Sequence, residues 1–248
     1  EGLLDGGIDL FLLETCQDPL QIKACLCAIR DALAWRKLNM PVAASVTVET
    51  TGTLLVGTEV QAAVTILSAL SVDIIGINCA TGPSQMAPHV QELCRNFPGP
   101  VLVMPNAGLP ENINGSLVYT LEPEAFAEEL LKFVTRYGVN IVGGCCGTSP
   151  EHVSALRKAL DGVHPAERTV KPVPGVASLY SFQELRQEPA PFFVGERANT
   201  NGSKQFREFL LAENWDGMVE VGKSQVQSGA HAVDLCVAYA GRDEVADI

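Results

Sequence analysis

The chain has 248 residues, of which 47% are hydrophobic and 19% charged, and its formal net charge is −12 at pH 7. This composition is typical of a folded globular protein, and it excludes a disordered chain or a disulfide-stapled mini-protein. The negative charge would repel phosphate backbones and anionic membrane surfaces, so neither nucleic acid nor a membrane is expected as a partner.

The chain contains no obvious membrane-spanning or export segment. No apolar run approaches the roughly 18 residues of a spanning helix, and no basic segment followed by an apolar one opens the chain. A cytoplasmic protein is therefore expected. Its eight cysteines should then be reduced, which leaves them for metal binding or packing.

Strands and helices are predicted to alternate along the first 160 residues. Apolar runs predict strands at 8–15, 41–48, 72–79, 100–105 and 139–142. Helices are predicted at about 18–37, 58–70, 86–97, 124–137 and 150–160, the second of them opening with a capping box at Thr58-Glu59-Val60-Gln61. This alternation predicts an α/β fold with a parallel sheet and right-handed crossovers, either open or closed into a barrel.

The composition changes between residues 164 and 191. Prolines at 165, 172, 174, 189 and 191 predict an extended linker, with a short helix around 181–186. Beyond it, strands are predicted at 192–199 and 232–237, with helices from about 204 and at 218–228. One or two strands cannot bury a core, so this second unit is expected to be incomplete as given.

The segment Gly143-Gly144-Cys145-Cys146-Gly147 follows the fifth predicted strand. Thr148 or Ser149 would cap the next helix, which makes the segment a strand-to-helix corner, where parallel α/β folds build their active sites. Cys79 ends the third strand and is expected at the same edge. Three thiolates without an obvious fourth protein ligand predict a zinc ion with one open coordination position.

Each of these assignments has a simpler alternative. The other five cysteines are expected to pack as small apolar residues: Cys16, Cys25, Cys27, Cys94 and Cys236. For Cys79, Cys145 and Cys146, core packing or a vicinal disulfide remains open beside zinc. Asn78 and Asn106 are expected to tie down loops. The four histidines lack zinc-finger spacing and are expected on the surface or on helices.

Five segments carry a family resemblance. Asn78-Cys79, Asn106-Ala107-Gly108-Leu109-Pro110 and the paired-cysteine segment 143–148 resemble the last three strand ends of the homocysteine-binding barrel in the cobalamin-dependent methionine synthase family. Gly195-Glu196-Arg197-Ala198-Asn199 and Gly202-Ser203-Lys204 resemble the opening of its folate-binding barrel, although that family usually has Thr or Cys in place of Ala. The resemblance covers nearly the whole chain, including the order of the two units.

The resemblance implies two (β/α)8 barrels of the TIM type, each only partly present. Residues 1–163 would supply strands 4 to 8 of the homocysteine-binding domain, 164–190 the linker, and 191–248 the start of a pterin-binding domain. The first three strands and the cobalamin-binding modules would be absent. The chain is therefore expected to be a fragment that binds zinc weakly and does not turn over alone.

The implied reaction is the formation of methionine. Zinc on Cys79, Cys145 and Cys146 would hold homocysteine as a thiolate, because a zinc-bound thiol is deprotonated outright. Methylcobalamin would supply the methyl group, and methyltetrahydrofolate would then remethylate the cobalamin. The implied partners are homocysteine, methyltetrahydrofolate and the cobalamin-binding domain of the same parent chain.

The resemblance also implies binding roles for residues that could instead have a purely structural role. Asn199, Gly202, Ser203 and Lys204 would contact folate, whereas composition alone makes them a helix start. Glu14, at the end of the first strand, would hold the substrate ammonium or merely cap the turn at Asp18. Asp234 is a weaker candidate at the end of the last predicted strand.

Two other functions stay open. The first is a zinc-dependent homocysteine S-methyltransferase that uses a small methyl donor, and the folate-like segment argues against it. The second is a non-catalytic cysteine–zinc scaffold, which would need a fourth protein ligand that the sequence does not offer near the three cysteines.

Overall fold

The computed structural model describes all 248 residues, which form two compact units. The first unit comprises Glu1–Val173 and Ala177–Phe182, and the second comprises Pro174–Val176 and Gln183–Ile248. Each unit has its own hydrophobic core. No helix of the chain combines the length and the apolar character that crossing a membrane requires.

Strands and helices alternate along the first unit, close to the predicted positions. Its strands are β1 (Phe11–Cys16), β2 (Val42–Val46), β3 (Ile74–Asn78), β4 (Val101–Met104), β5 (Pro110–Ile113), β6 (Ser116–Tyr119) and β7 (Ile141–Val142). Its helices are α1 (Gly2–Asp5), α2 (Pro19–Arg36), α3 (Val60–Ala69), α4 (Pro83–Asn96), α5 (Pro123–Lys132) and α6 (Pro150–Ala159). A π-helical turn, Phe133–Tyr137, extends α5, and Gly138 ends it with φ at +73°.

Five strands of the first unit form one parallel sheet in the order β1-β2-β3-β4-β7. The spatial order of the strands therefore follows the chain order without a reversal. Right-handed crossovers then place the connecting helices on one face of the sheet, and neighbouring helices from α2 to α6 contact each other in sequence. The predicted parallel sheet is confirmed.

The core of the first unit lies between the sheet and these helices. Alternate strand residues such as Ile77 face the helices and are buried in one cluster with Leu26 and Met86. The intervening strand residues face the other side of the sheet. At its two edges, Leu12 of β1 and Ile141 of β7 are each 38% exposed on that side.

The predicted capping box at the start of α3 does not form. Glu59, not Thr58, is the N-cap residue, and no side chain caps the helix. The carbonyl of Thr58 instead accepts from the Leu54 N–H at 2.9 Å, so the residue belongs to the preceding loop. Its Oγ1 is buried without a hydrogen-bond partner.

The helix predicted around 181–186 is also wrong. Residues Gly175–Ala177 and Phe182–Glu184 are extended and form strands β8 and β9. Prolines at 174 and 189 flank this segment, and their fixed backbone geometry is compatible with extended chain but not with the interior of a helix.

The segment after the fourth strand, which was expected to be a plain loop, forms a β-hairpin. Strands β5 and β6 pair antiparallel, and the chain turns at Asn114 and Gly115, with φ at +53° and +84°. Two consecutive left-handed residues are typical of a type I′ hairpin turn, for which Asn-Gly is a strong sequence signal. That signal was present in the sequence and was missed.

Beyond residue 190, the second unit contains two parallel strands and three helices. These are β10 (Val194–Asn199), α7 (Lys204–Leu211), α8 (Trp215–Gln227), β11 (Ala232–Cys236) and α9 (Glu244–Asp247). Helix α8 begins earlier than predicted because the Asn214 side chain accepts from the Gly217 N–H at 2.9 Å and caps it. The buried core is small: Ala198, Phe206, Leu210, Met218, Val221 and Val237.

Candidate metal centre

Three cysteine thiols come together at the carboxyl edge of the sheet. Cys79 directly follows β3, while Cys145 and Cys146 lie in the loop after β7. The three Sγ atoms all lie within 4.8 Å of one another, and Cys79 Sγ is 3.7 Å from Cys146 Sγ. All eight cysteines of the chain are free thiols, so the cluster contains no vicinal disulfide.

The loop after β7 turns so that two adjacent cysteines can face one point. The Cys145 N–H donates to the Pro105 carbonyl, and the Ala107 N–H donates to the Cys146 carbonyl, each at 2.9 Å. The Thr148 hydroxyl closes the turn by donating to the Cys145 carbonyl at 2.7 Å. The loop is therefore anchored on the segment after β4, as expected for a strand-to-helix corner.

The backbone at Cys79 is left-handed. Its φ is +65°, and Ala80 follows at +58°. Residues with a side chain seldom adopt this region, and each such position costs on the order of 1–3 kcal/mol. The turn is held by hydrogen bonds from the Cys79 N–H to the Met104 carbonyl at 3.1 Å and from the Thr81 N–H to the Cys79 carbonyl at 2.7 Å.

Two buried asparagines hold the thiol-bearing loops. Asn106 Oδ1 accepts from the Cys146 N–H at 3.1 Å. Asn78 Oδ1 accepts from Ser45 Oγ at 2.6 Å, and Asn78 Nδ2 lies 3.8 Å from Cys145 Sγ. The expectation that these asparagines tie down loops is confirmed.

The electrostatic environment disfavours the thiolate of Cys145 when no cation is present. Burial raises the pKa of Cys145 to about 11, the amide of Asn78 opposes the rise, and the thiols of Cys79 and Cys146 add to it. Burial also raises the pKa of Tyr119, and the same three thiols raise it further. A divalent cation among the sulfurs would offset this mutual repulsion.

The arrangement of the sulfurs fits zinc. Tetrahedral zinc with Zn–S bonds of about 2.3 Å has sulfurs about 3.8 Å apart, close to the 3.7 Å between Cys79 and Cys146. Soft thiolate ligands favour zinc over magnesium or calcium. Three protein ligands leave one tetrahedral position for another donor.

Comparison with known protein families identifies the family to which the chain belongs. Residues 1–160 match the family model of the homocysteine S-methyltransferases. The chain belongs to the homocysteine S-methyltransferase family.

Similarity to curated relatives extends over the full length of this family member. It is 47% identical over 247 residues to a methionine synthase of Mycobacterium tuberculosis and 46% identical over 252 residues to a methionine synthase of Mycobacterium leprae. Each alignment covers 100% of this chain but 21% of the relative. The chain therefore spans about a fifth of the length of the curated relatives that it matches.

In this family member, Glu14 does not cap the turn at Asp18. Helix α2 is capped by Asp18, whose Oδ1 accepts from the Leu20 N–H at 2.8 Å. Glu14 is exposed near the end of β1. Its neighbour Thr15 donates its N–H to Asn78 Oδ1 at 3.1 Å, which ties this corner to the strand that precedes Cys79.

The four residues predicted to contact folate lie together at the start of α7. Asn199 Oδ1 accepts from the N–H groups of Asn201 and Gly202, both at 2.9 Å. Ser203 Oγ caps α7 by accepting from the Phe206 N–H at 3.2 Å. The Lys204 side chain is 80% exposed. The structure thus brings these residues to one turn, where they also serve the helix start.

Sequence reasoning missed Tyr119 and the role of His152. Tyr119 ends the unpredicted hairpin, and its ring packs directly on Gly147 of the thiol loop. His152 is buried on α6, where its Nδ1 accepts from the Ser149 N–H at 3.1 Å. Its Nε2 lies 2.8 Å from the Leu121 carbonyl just after the hairpin. Only the Asn-Gly turn signal could have drawn attention to the hairpin.

Proposed function

We propose that this chain is the part of a methionine synthase that binds zinc and activates homocysteine. The observation that carries the proposal is the convergence of three thiols within 4.8 Å in a member of the homocysteine S-methyltransferase family. In this proposal Cys79, Cys145 and Cys146 are the zinc ligands, and the substrate sulfur takes the open position.

The chemistry of the site supports this assignment. Bound zinc would hold the homocysteine thiol as a thiolate at neutral pH, where a free thiol with a pKa of roughly 8.5 is mostly protonated. The three cysteines of the chain hold the ion, and Asn78 and Asn106 hold their loops. Glu14 is proposed to bind the substrate ammonium. The thiol proton leaves to solvent, which reaches the exposed Cys146.

The sheet topology supports an arc of a (β/α)8 barrel. Consecutive strand order with helices on one face is the arrangement of such a barrel, whereas doubly wound sheets reverse their strand order and carry helices on both faces. We therefore propose that β1, β2, β3, β4 and β7 are barrel strands 4 to 8. Residues 1–163 would be the homocysteine-binding domain, 164–190 the linker and 191–248 the start of the pterin-binding domain.

The extent of the similarity favours methionine synthase over other homocysteine methyltransferases. The family match ends at residue 160, but the similarity to the two mycobacterial methionine synthases continues through the second unit. In the proposal, methyltetrahydrofolate donates its methyl group by way of cobalamin, which a further domain of the parent chain binds. Asn199, Gly202, Ser203 and Lys204 are the proposed folate contacts.

The thiol chemistry favours a reducing compartment. All eight cysteines are free thiols, and a zinc site built on three of them would be lost on oxidation to disulfides. We therefore propose that the reaction takes place in the cytoplasm, where thiols stay reduced.

The proposal is tested by X-ray absorption on the zinc-loaded chain after addition of selenohomocysteine. Because the fragment is expected to bind zinc weakly, the measurement is made at saturating zinc, where we expect one zinc per chain and a new zinc–selenium contact. Cys79→Ser, Cys145→Ser and Cys146→Ser should each lose the metal, because a hydroxyl is a poor zinc ligand at neutral pH. The exposed helical Cys27 gives the matched control, Cys27→Ser, which should keep it.

Two outcomes would contradict the proposal. Stoichiometric zinc in all three ligand variants would remove the metal assignment. A zinc spectrum that selenohomocysteine leaves unchanged would remove the open position and favour a cysteine–zinc scaffold.

A further inference from the structure

The amide of Asn78 uses its full hydrogen-bonding capacity inside the first unit. The residue is completely buried. Its Oδ1 accepts from Ser45 Oγ at 2.6 Å and from the Thr15 N–H at 3.1 Å. Its Nδ2 donates to Thr15 Oγ1 at 2.7 Å and lies 3.8 Å from Cys145 Sγ. Two acceptor sites and two N–H donors are all engaged, and among side chains of this length only an amide offers that set.

These contacts join parts of the chain that are far apart in sequence. Thr15 and Cys145 lie 63 and 67 residues from Asn78. Thr15 is the last residue but one of β1, Ser45 lies on β2, and Cys145 follows β7. One buried side chain therefore links the ends of three strands to a thiol of the candidate metal centre.

The backbone of Thr15 has an unfavourable conformation that the bonds to Asn78 stabilise. Its φ is +57°, a left-handed conformation that a β-branched residue seldom adopts and that costs on the order of 1–3 kcal/mol. Both its N–H and its hydroxyl bond to the Asn78 amide. The amide thereby stabilises the backbone turn that follows Glu14.

We propose that Asn78 is a positioning residue that holds the Cys145 sulfur and the Glu14–Thr15 corner in a fixed relation. This role rests on the proposed function and deepens it. In that function, Cys145 belongs to the sulfur end of the homocysteine site and Glu14 to the ammonium end. Asn78 touches neither the metal nor the substrate, and it acts through the groups that do.

The test compares zinc affinities, measured by competition with a chelator, in the unsubstituted chain and in Asn78→Asp. A carboxylate can still accept from the Thr15 N–H and from the Ser45 hydroxyl, and the Thr15 hydroxyl can rotate to donate. Both N–H donations of the amide are lost. The one to Thr15 Oγ1 is replaced by this rotated hydroxyl, whereas the one to Cys145 has no replacement, and a carboxylate beside Cys145 repels its thiolate. We expect zinc affinity to fall about tenfold or more, as for other residues that orient metal ligands.

Thr47→Val is the matched control. Thr47 is buried, and its hydroxyl donates to the main-chain carbonyl of Asn78 at 3.0 Å, so this variant removes a bond to the same residue but leaves the amide intact. We expect zinc affinity within about threefold of the unsubstituted chain, although thermal stability falls by about as much as one buried hydrogen bond contributes. A merely structural role for Asn78 would make the two variants alike in zinc affinity.

Ser45→Ala keeps the proposal testable if Asn78→Asp does not fold. Its only lost bond is the one from Ser45 Oγ to the Asn78 amide, and the change is small. We expect weaker zinc binding than in Thr47→Val at similar thermal stability. Equal affinity in all folded variants overturns the positioning role alone. An unsubstituted chain that binds no zinc overturns both this role and the proposed metal site.

Discussion

At the scale of single residues, the conformation of the loop that carries Cys145 and Cys146 depends on Gly147. Its φ is +78°, a conformation that strains any residue with a Cβ. Space is short as well, because a Cβ at this position would lie 2.2 Å from Cγ of Tyr119. Two independent constraints therefore exclude any side chain at position 147.

Gly147→Ala should disrupt the metal centre more than the fold. The new methyl group must push Tyr119 or the loop aside, which displaces Cys146. We expect zinc affinity to fall by about tenfold or more, while circular dichroism retains the helical signal. Gly162→Ala is the control, since Gly162 has a similar φ of +69° but open space around a Cβ. Unchanged zinc binding in Gly147→Ala would contradict the claim that Gly147 is needed to position Cys146 for zinc.

At the scale of elements, helix α4 buries a thiol in the core. Cys94 is 4% exposed on the inner face of the helix. Burial raises its pKa from 9.0 to about 11, although the Arg168 guanidinium opposes the rise. Burial thus outweighs the nearby positive charge, and the thiol stays neutral in the folded chain up to strongly alkaline pH.

This shift predicts a loss of stability at alkaline pH. Below pH 9 the thiol is protonated in both the folded and unfolded states, so it contributes no pH dependence. Between pH 9 and about 11 the unfolded state ionises first, which lowers the free energy of unfolding by up to about 3 kcal/mol.

Urea denaturation of the metal-free chain between pH 8 and 11 measures the effect. Cys94→Ala should flatten the decline in the free energy of unfolding relative to the unsubstituted chain. Cys27→Ala, which removes an exposed thiol, should leave the slope unchanged. Identical slopes in all three proteins would contradict a raised pKa at Cys94.

At the scale of the whole molecule, the sheet of the first unit has two unpaired edges. Strand β1 pairs only with β2, and β7 pairs only with β4. Leu12 and Ile141, at these edges, are partly exposed on the face opposite the helices. Unpaired strand edges beside apolar surface favour association between chains.

We therefore expect the 248-residue chain to self-associate as its concentration rises. Sedimentation velocity should show larger species, and Leu12→Lys should reduce them because a charge on an edge strand opposes pairing. Leu38→Lys introduces the same charge at a partly exposed leucine beyond α2 and should have little effect. A chain that remains monomeric at high concentration would contradict this expectation.

Much of the architecture could be predicted from the sequence. Apolar runs separated by amphipathic stretches identified five strands and their helices, because burial of alternate strand residues leaves a local pattern. Cys79, Cys145 and Cys146 could be assigned to one edge for the same reason, since residues after parallel strands meet at their carboxyl ends. Their convergence follows from the topology.

Only the tertiary structure decided which contacts hold the carboxyl edge of the sheet together. The bonds of Asn78 to Thr15 and Cys145 span more than 60 residues and leave no trace in any local pattern. The left-handed backbone at Thr15 and Cys79 contradicts local preference and persists because contacts from other strands stabilise it. Likewise, the packing of Tyr119 on Gly147 depends on where a hairpin folds back over a distant loop. Local propensity determined the elements of this protein, and long-range packing determined the geometry of its metal centre.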